Sequence, residues 1–454
     1  MHHYDVEIDR LARAIIDEAL ARVRMDPPPL DGPRSHDELR RVAGTTITED
    51  GLGGEEALRL FRDVLAPACI SVDHPRFLAF VPAAPTEAAI LVDLLVAASS
   101  LFGGTWLESA GAVYAENEAL AFLAAEMGLP DSAGGVFVQG GTNGNLSALV
   151  AARHHARGQR SPHPRRWSVL TGEEAHSSVE SAARVMDVDV ITVPGSDRRL
   201  RAEQARATIA SLDDETRAGI FAVVATSGST NLGLVDELDG LADLATELEA
   251  WFHVDGAYGA AAVLVPEARH VFHGIEKADS LVVDPHKWLF APYDCCALLY
   301  RDPAIARAAH TQEASYLDPT ATGEWNPSDL SHQLTRRARG LPFWFSLATH
   351  GAGEYRLAIA ASIHLANRAA ELIEADHRLD LICPPELSVV AFRRRGWSME
   401  DCAVWSERLL NRGLAFVVPT RVDGEPALRL CFVNPRTRIE DVELILGTLD
   451  SPGG

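Results

Sequence analysis

Lysine is nearly absent from this 454-residue chain: there are two, Lys277 and Lys287, against 39 arginines. Arginine keeps its charge at any working pH and cannot form an imine, whereas a partly desolvated lysine can become a nucleophilic amine. A lysine that survives near-complete replacement, flanked by His286 and Trp288 after an apolar run, is therefore a candidate for chemistry. Basic charge as a whole is also scarce, and the net charge is −23. A phosphate-backbone interface needs a basic face, so nucleic-acid partners are excluded. The one basic run, Arg393-Arg-Arg395, is short and reads as the solvated edge of a strand. No window is apolar over the length needed to cross a bilayer, and Met1-His-His-Tyr-Asp opens no basic-then-apolar leader, so no membrane partner and a cytoplasmic location are expected. The six cysteines are scattered without a CxxC pair of metal spacing; they read as free thiols of a reducing compartment, with no metal site. Internal repeats and low-complexity segments are missing too.

What is present divides into three parts. Residues 1–75 form an N-terminal helical arm. Val6, Ile8, Leu11, Ile15, Ile16, Ala19, Leu20 and Val23 give one apolar stripe on a helix over 6–23, stopped by Pro27-Pro-Pro29, and a second helix is predicted at 55–65. The arm has no core of its own and should pack on the body or on a second subunit. Residues 76–340 are read as the large domain. After the extended piece His74-Pro-Arg-Phe-Leu-Ala-Phe-Val-Pro82 come helices at 87–101 and 110–127, separated by the glycine turn Phe102-Gly-Gly-Thr-Trp106. Strands at 135–138, 167–170, 189–193, 219–225, 251–254, 279–283 and 296–300 then alternate with helices at 143–157, 178–186, 201–211 and 236–249. Such alternation predicts an α/β fold with a large, mostly parallel seven-stranded sheet, whose ligands bind in the loops at the strands' carboxyl ends. Residues 310–327, rich in glycine, proline and small polar residues, read as a mobile loop. Residues 341–454 are read as a small C-terminal α+β domain. It has a helix through 352–375, a strand at 387–392, a helix opened by Ser398 and a hairpin (414–418 and 427–433) turned at Asp423-Gly424. A last helix is opened by the capping box Thr437-Arg-Ile-Glu440.

Four motifs join Lys287 at predicted strand ends. Gln139-Gly-Gly-Thr-Asn-Gly-Asn145 enters a helix, where free N–H groups and the dipole favour an anion, although such helix entries are common without a ligand. His176-Ser-Ser opens another helix, where a histidine is often only a cap. Ala225-Thr-Ser-Gly-Ser-Thr-Asn231 is rich in hydroxyls, as many turns are. Trp251-Phe-His-Val-Asp-Gly-Ala-Tyr-Gly259 ends an apolar strand on Asp255, a carboxylate that needs a cationic partner; a protonated pyridine nitrogen would serve.

Ala175-His-Ser-Ser-Val-Glu180, His253-Val-Asp-Gly-Ala-Tyr258 and Asp284-Pro-His-Lys-Trp288, with 32 residues between Asp255 and Lys287, together resemble the group II pyridoxal-phosphate-dependent amino-acid decarboxylases related to the aromatic-L-amino-acid and glutamate enzymes. The resemblance runs from about residue 55 to the end. It implies the fold type I, aspartate aminotransferase-like architecture of PLP-dependent transferases, pyridoxal 5'-phosphate (PLP) as cofactor, a homodimer, and decarboxylation of an L-amino acid to an amine and carbon dioxide. It implies that Lys287 holds the cofactor, Asp255 pairs with its ring nitrogen, and His176 stacks on the ring and assists catalysis while Ala257 packs on the other face. Gly141, Thr142, Asn143 and His286 are implied as phosphate or ring contacts, with Thr230, Ser280 and Asp284 nearby. Phe80, Val81 and Trp106 are candidates for an apolar substrate wall, which favours an aromatic or apolar amino acid. In one respect the chain departs from relatives that make amines: they carry a tyrosine in the loop after the lysine strand, and here none lies between Tyr316 and Tyr355. His332 or another group then supplies the proton, or the reaction ends in an aldehyde through oxidative deamination. An aminotransferase or lyase on the same fold is a further alternative.

Overall fold

The computed structural model describes residues 2–195, 197–320 and 323–451. Seven short strands build the central sheet: β1 (Gly134–Val138), β2 (Ser168–Gly172), β3 (Asp189–Val193), β4 (Ile220–Thr226), β5 (Trp251–Asp255), β6 (Ser280–Val283) and β7 (Cys296–Tyr300). Their order is β1-β7-β6-β5-β4-β2-β3. β7 alone runs against its neighbours; the other pairings are parallel. All seven lie where the apolar runs predict them. Those runs are continuous rather than alternating because the sheet is covered on both faces, so every residue of β4 to β7 is buried.

Helices α1 (Val6–Val23), α2 (His36–Ala43), α3 (Gly54–Leu60), α4 (Glu87–Ala98) and α5 (Trp106–Glu126) precede the sheet. Between its strands lie α6 (Gly141–Gln159), α7 (Ser177–Met186), α8 (Ala202–Ala210), α9 (Asp214–Ala218), α10 (Leu238–Glu247) and the single turn α11 (Pro285–Trp288). After it come α12 (Pro303–His310), α13 (Leu341–Ala375), α14 (Met399–Asn411) and α15 (Ile439–Leu446). One face of the sheet packs Leu123, Leu241 and Phe343 of α5, α10 and α13. The other packs Leu149, Val179 and Ala306 of α6, α7 and α12. α13 begins earlier than the sequence predicts, at Leu341, and is broken at Gly351, whose φ of 78° leaves the helical region. Of the glycine- and proline-rich loop, residues 321–322 lie outside the described residues; the rest carries short helical turns at Ser315–Thr320 and Pro327–Leu330.

The C-terminal sheet, β8 (Leu379–Leu381), β9 (Val389–Arg394), β10 (Pro419–Val422) and β11 (Glu425–Cys431), is antiparallel in the order β10-β11-β9-β8. Asp423 and Gly424 both take positive φ (55° and 79°), the two-residue turn their sequence requires. The hairpin strands nevertheless abut that turn, closer than expected. Pro419 argues against a strand in sequence but is tolerated as the first residue of an edge strand. The last capping box is shifted by one residue: Asp441 accepts from the Arg438 N–H (3.0 Å), while the Thr437 hydroxyl donates to the Pro75 carbonyl (2.6 Å).

The extended piece before α4 is stitched to this C-terminal unit. Leu78 N–H donates to Phe416 O (2.9 Å) and Leu78 O accepts from Cys431 N–H (3.0 Å). Phe77 packs edge-on against Phe416 at 5.1 Å. Arg76 points the opposite way, as strand alternation predicts, and donates to the Leu414 carbonyl. The chain then turns at Phe80, whose φ is 52°. By contrast, no residue of α1 or α2 is buried. Among the described residues no helix is long and apolar enough to cross a membrane.

Candidate active site

The carboxyl ends of the parallel strands open into a cavity of about 460 Å³. Each polar motif contributes through the loop after its strand. β1 leads into Gln139, Gly140, Gly141 and Thr142 at the start of α6; His176 caps α7; the turn after β4 brings Thr226, Gly228 and Thr230; β5 ends on Asp255 and passes into Ala257; and β6 leads through Asp284 and His286 to Lys287. Phe80 and Val81 close one side.

Three of the predicted residues are not among the residues lining this cavity. Trp106 opens α5, its N–H donating to Asn326 Oδ1 (2.9 Å). Asn143 turns its amide onto Gln139 Oε1 (2.7 Å) instead of the cavity. Ser280 stands at the start of β6, while the cavity lies beyond its end; its hydroxyl contacts Trp251 Nε1 (2.7 Å) and His253 Nδ1 (2.8 Å). His332 is exposed and also outside the cavity, its Nδ1 3.2 Å from Ser147 Oγ. Conversely, the motifs did not single out Gln139, Asn145, Ser178, Thr226, Tyr258, Tyr293 or Asp294, all of which line it. Several of these lie inside the quoted motifs, but nothing in their spacing marks them.

Lys287 Nζ lies 2.9 Å from Asp284 Oδ2. Burial pushes the ammonium toward losing its proton, but Asp284, with a smaller push from Asp255, outweighs it and the pKa rises. In this arrangement Lys287 is therefore held as a cation, contrary to the expectation that desolvation alone would free its amine. Burial likewise pushes the Asp284 carboxyl up, and the Lys287 ammonium, the largest opposing influence, helps bring it below its ordinary range. His286 Nδ1 accepts the Cys295 N–H (3.1 Å), and burial lowers the imidazole's pKa. The neutral ring therefore carries its proton on Nε2, which faces Asp284 Oδ2 at 3.5 Å. The other lysine is structural: Lys277 is gripped by Asp239 (2.6 Å) and Asp243 (2.9 Å) on the surface.

Asp255, 5% exposed, receives neutral donors: Asn145 Nδ2 at 2.8 Å and the Ala257 N–H at 3.2 Å. Gly141 is closely covered: a Cβ there would sit 3.1 Å from that of Ala257, tighter than an ordinary contact.

These residues fit PLP. A lysine that can bond its aldehyde and a buried carboxylate whose hydrogen bonds among the described residues come from neutral donors share one cavity. The cavity also contains the start of the 19-residue α6, where the first N–H groups have no partner within the helix and favour an anion.

Comparison with known proteins agrees. Residues 38–395 match the family model described as the pyridoxal-dependent decarboxylase conserved domain. The chain is 32% identical over 423 residues to the aromatic-L-amino-acid decarboxylase of Bacillus atrophaeus, covering 90% of this chain and 88% of that one. It is also 32% identical over 417 residues to the L-2,4-diaminobutyrate decarboxylase of Rhizobium meliloti (strain 1021), covering 89% and 83%. The crystal structure of Oryza sativa TDC with PLP and tryptamine superposes with a TM-score of 0.90 at 26% identity, covering 99% of each chain. The chain thus belongs to the pyridoxal-dependent decarboxylase family, and it is a PLP-dependent carboxy-lyase acting on amino acids.

Proposed function

We propose that the protein decarboxylates an aromatic or other apolar L-amino acid to its amine, as a cytoplasmic homodimer, with Lys287 carrying PLP and Asp255 paired with the ring nitrogen. The observation that carries this reading is the meeting of Lys287 and Asp255, from the ends of adjacent strands, in one cavity. Gly141 and Thr142 would hold the phosphate with the N-terminus of α6, His176 and Ala257 would flank the ring, and Thr230 and His286 would border it. Asn143 would act through Gln139 rather than directly. Bound PLP supplies an electron sink for the pair left on Cα as carbon dioxide departs. The chain's own residues orient the substrate and hold protons. His176 lines the cavity. Tyr293 brings its phenol to the cavity wall. Phe80 and Tyr293, both more than half exposed, suit an aromatic or apolar side chain.

The dimer is supported by the uncovered apolar residues of the arm and its neighbours, among them Val6, Ile15, Ile16, Leu94 and Leu95. The cytoplasmic location is supported by six unpaired cysteines. Sedimentation of the purified protein is expected to give twice the chain mass; a monomer at micromolar concentration would remove the dimer.

A second reading is favoured by the position of His332 outside the cavity together with the missing loop tyrosine: the amino acid, dioxygen and water give an aldehyde, ammonia, carbon dioxide and hydrogen peroxide. Incubation with a panel of L-amino acids, with products identified by mass spectrometry and carbon dioxide and peroxide assayed alongside, separates the two. Amine and carbon dioxide without peroxide are expected. Aldehyde with peroxide selects the second reading, and a keto acid without carbon dioxide refutes both.

A further inference from the structure

A chain of hydrogen bonds crosses the protein behind the cavity, and its direction can be read from the chemistry of its ends. Trp251 Nε1 can only donate, and it donates to Ser280 Oγ at 2.7 Å. The single proton of that hydroxyl is then free for His253 Nδ1, 2.8 Å away. His253 is fully buried, and burial lowers its pKa to about 4, so the ring is neutral with its remaining proton on Nε2. That nitrogen lies 2.9 Å from Asn145 Oδ1, an acceptor. The amide nitrogen of Asn145 donates one hydrogen to Asp255 Oδ2 at 2.8 Å and the other to Ser178 Oγ at 2.9 Å. Ser178 could accept a second bond but also has one proton to give, and His176 Nδ1 lies 2.8 Å away. The Ser178 backbone N–H also points at His176 Nδ1, at 3.2 Å.

The opposite direction is excluded at the other end. It would turn the amide oxygen of Asn145 onto the carboxylate of Asp255 at 2.8 Å, an acceptor against an acceptor. With two donors on Nδ1, neutral His176 has only Nε2 for its proton. Nε2 has no partner among the described residues, and the ring lines the cavity.

We propose that Asn145 is a positioning residue: through one amide it aims the carboxylate of Asp255 and, by way of Ser178, fixes His176 as the tautomer that presents an N–H to the cavity. The consequence for the reaction is that the cavity meets an edge of His176 that donates a hydrogen bond, suited to a substrate carboxylate, with Asp255 and His176 set by the same side chain. This rests on the cavity being the cofactor site, but the tautomer does not.

The test uses the full chain without cofactor, with histidine labelled by nitrogen-15. Ring-nitrogen chemical shifts distinguish the two tautomers, and a His176→Gln variant assigns the signal. His176 of the wild type is expected with its proton on Nε2. Asn145→Asp leaves nothing to donate to Ser178, whose hydroxyl then turns to the new carboxylate; Ser178→Ala deletes that hydroxyl but keeps both donors to Asp255. Both variants are expected to lower the Nε2–H share of His176. In the loaded enzyme kcat should fall on the order of 10²-fold for Asn145→Asp and less for Ser178→Ala, with KM little changed, as expected for lost orientation. A wild-type His176 protonated on Nδ1 overturns the proposal, and so do unchanged tautomer shares in Ser178→Ala, the variant with the smaller change in the core. A wild type with the expected tautomer that binds no PLP supports the chain of protons and refutes the site reading, so the two failures are distinguishable.

Discussion

Asp255 ends one strand and Asp284 follows its neighbour in the same sheet; both are buried, and their charges are met in opposite ways. Asp284 has cations and cation-like donors of its own, Lys287 at 2.9 Å and His286 at 3.5 Å. Asp255 takes its hydrogen bonds, among the described residues, from the amide of Asn145 and the backbone of Ala257, and no ion pair. Neutral donors hold a carboxylate in place without cancelling its charge, so Asp255 remains able to pair with a cation that enters the cavity. Asp284 is already paired, and its effect is on the lysine. Two acids of one type thus divide the work by their partners.

Deleting the lysine breaks this comparison most severely. Lys287→Ala is expected to abolish turnover and to lower stability by about 3 kcal/mol, because it leaves a buried carboxylate without its main cation. The double variant Lys287→Ala with Asp284→Asn should recover much of the stability in denaturant titrations and none of the turnover. Asp255→Asn keeps shape and removes charge: turnover should fall on the order of 10²-fold or more, the scale of a lost electrostatic contact to a reacting group, with a much smaller change in melting temperature. Wild-type turnover in this variant would show that no cation pairs there. Asp284→Asn removes the main influence that raises Lys287 and leaves the burial that lowers it. In cofactor-free protein, labelling of Lys287 by an amine reagent should then begin at lower pH than in the wild type.

The smallest effect on turnover comes from a buried base, which acts on stability alone. His310 donates from Nε2 to the Ser147 carbonyl (3.0 Å), and burial brings it from 6.5 to about 4. As pH falls, the unfolded chain takes up this proton before the folded one does, so stability is lost from about pH 6.5 downward, by up to about 3 kcal/mol near pH 4. His310→Gln should flatten the stability profile over that range by one proton's worth, and an unchanged slope would contradict the assignment.

The sheet was legible because its strands are apolar runs bounded by turns, and the ligand loops follow from a parallel sheet. Lys287 stood out by rarity and Asp255 by ending an apolar strand. What escaped were groups whose place depends on three-dimensional approach. Asn145 reaches Asp255 across 110 residues and Ser178 across 33, and no periodicity encodes either contact. Ser280 shares a motif with the site but begins its strand, and at about 3.3 Å per residue it lies well short of the cavity at the other end. Trp106 follows a glycine turn whose course is set by contacts to Arg336 and Ala338, far along the chain.

The two lysines also divide the molecule for a protease that cuts after lysine. Cleavage at Lys277, on the surface, and at Lys287, in the cavity, releases the ten-residue peptide 278–287 from the unfolded chain. A group fixed to Lys287 by reduction would block the second cut and leave that peptide joined to everything that follows. A single mass spectrum of the digest therefore reports the occupancy of the cavity, with no competing signal from other lysines.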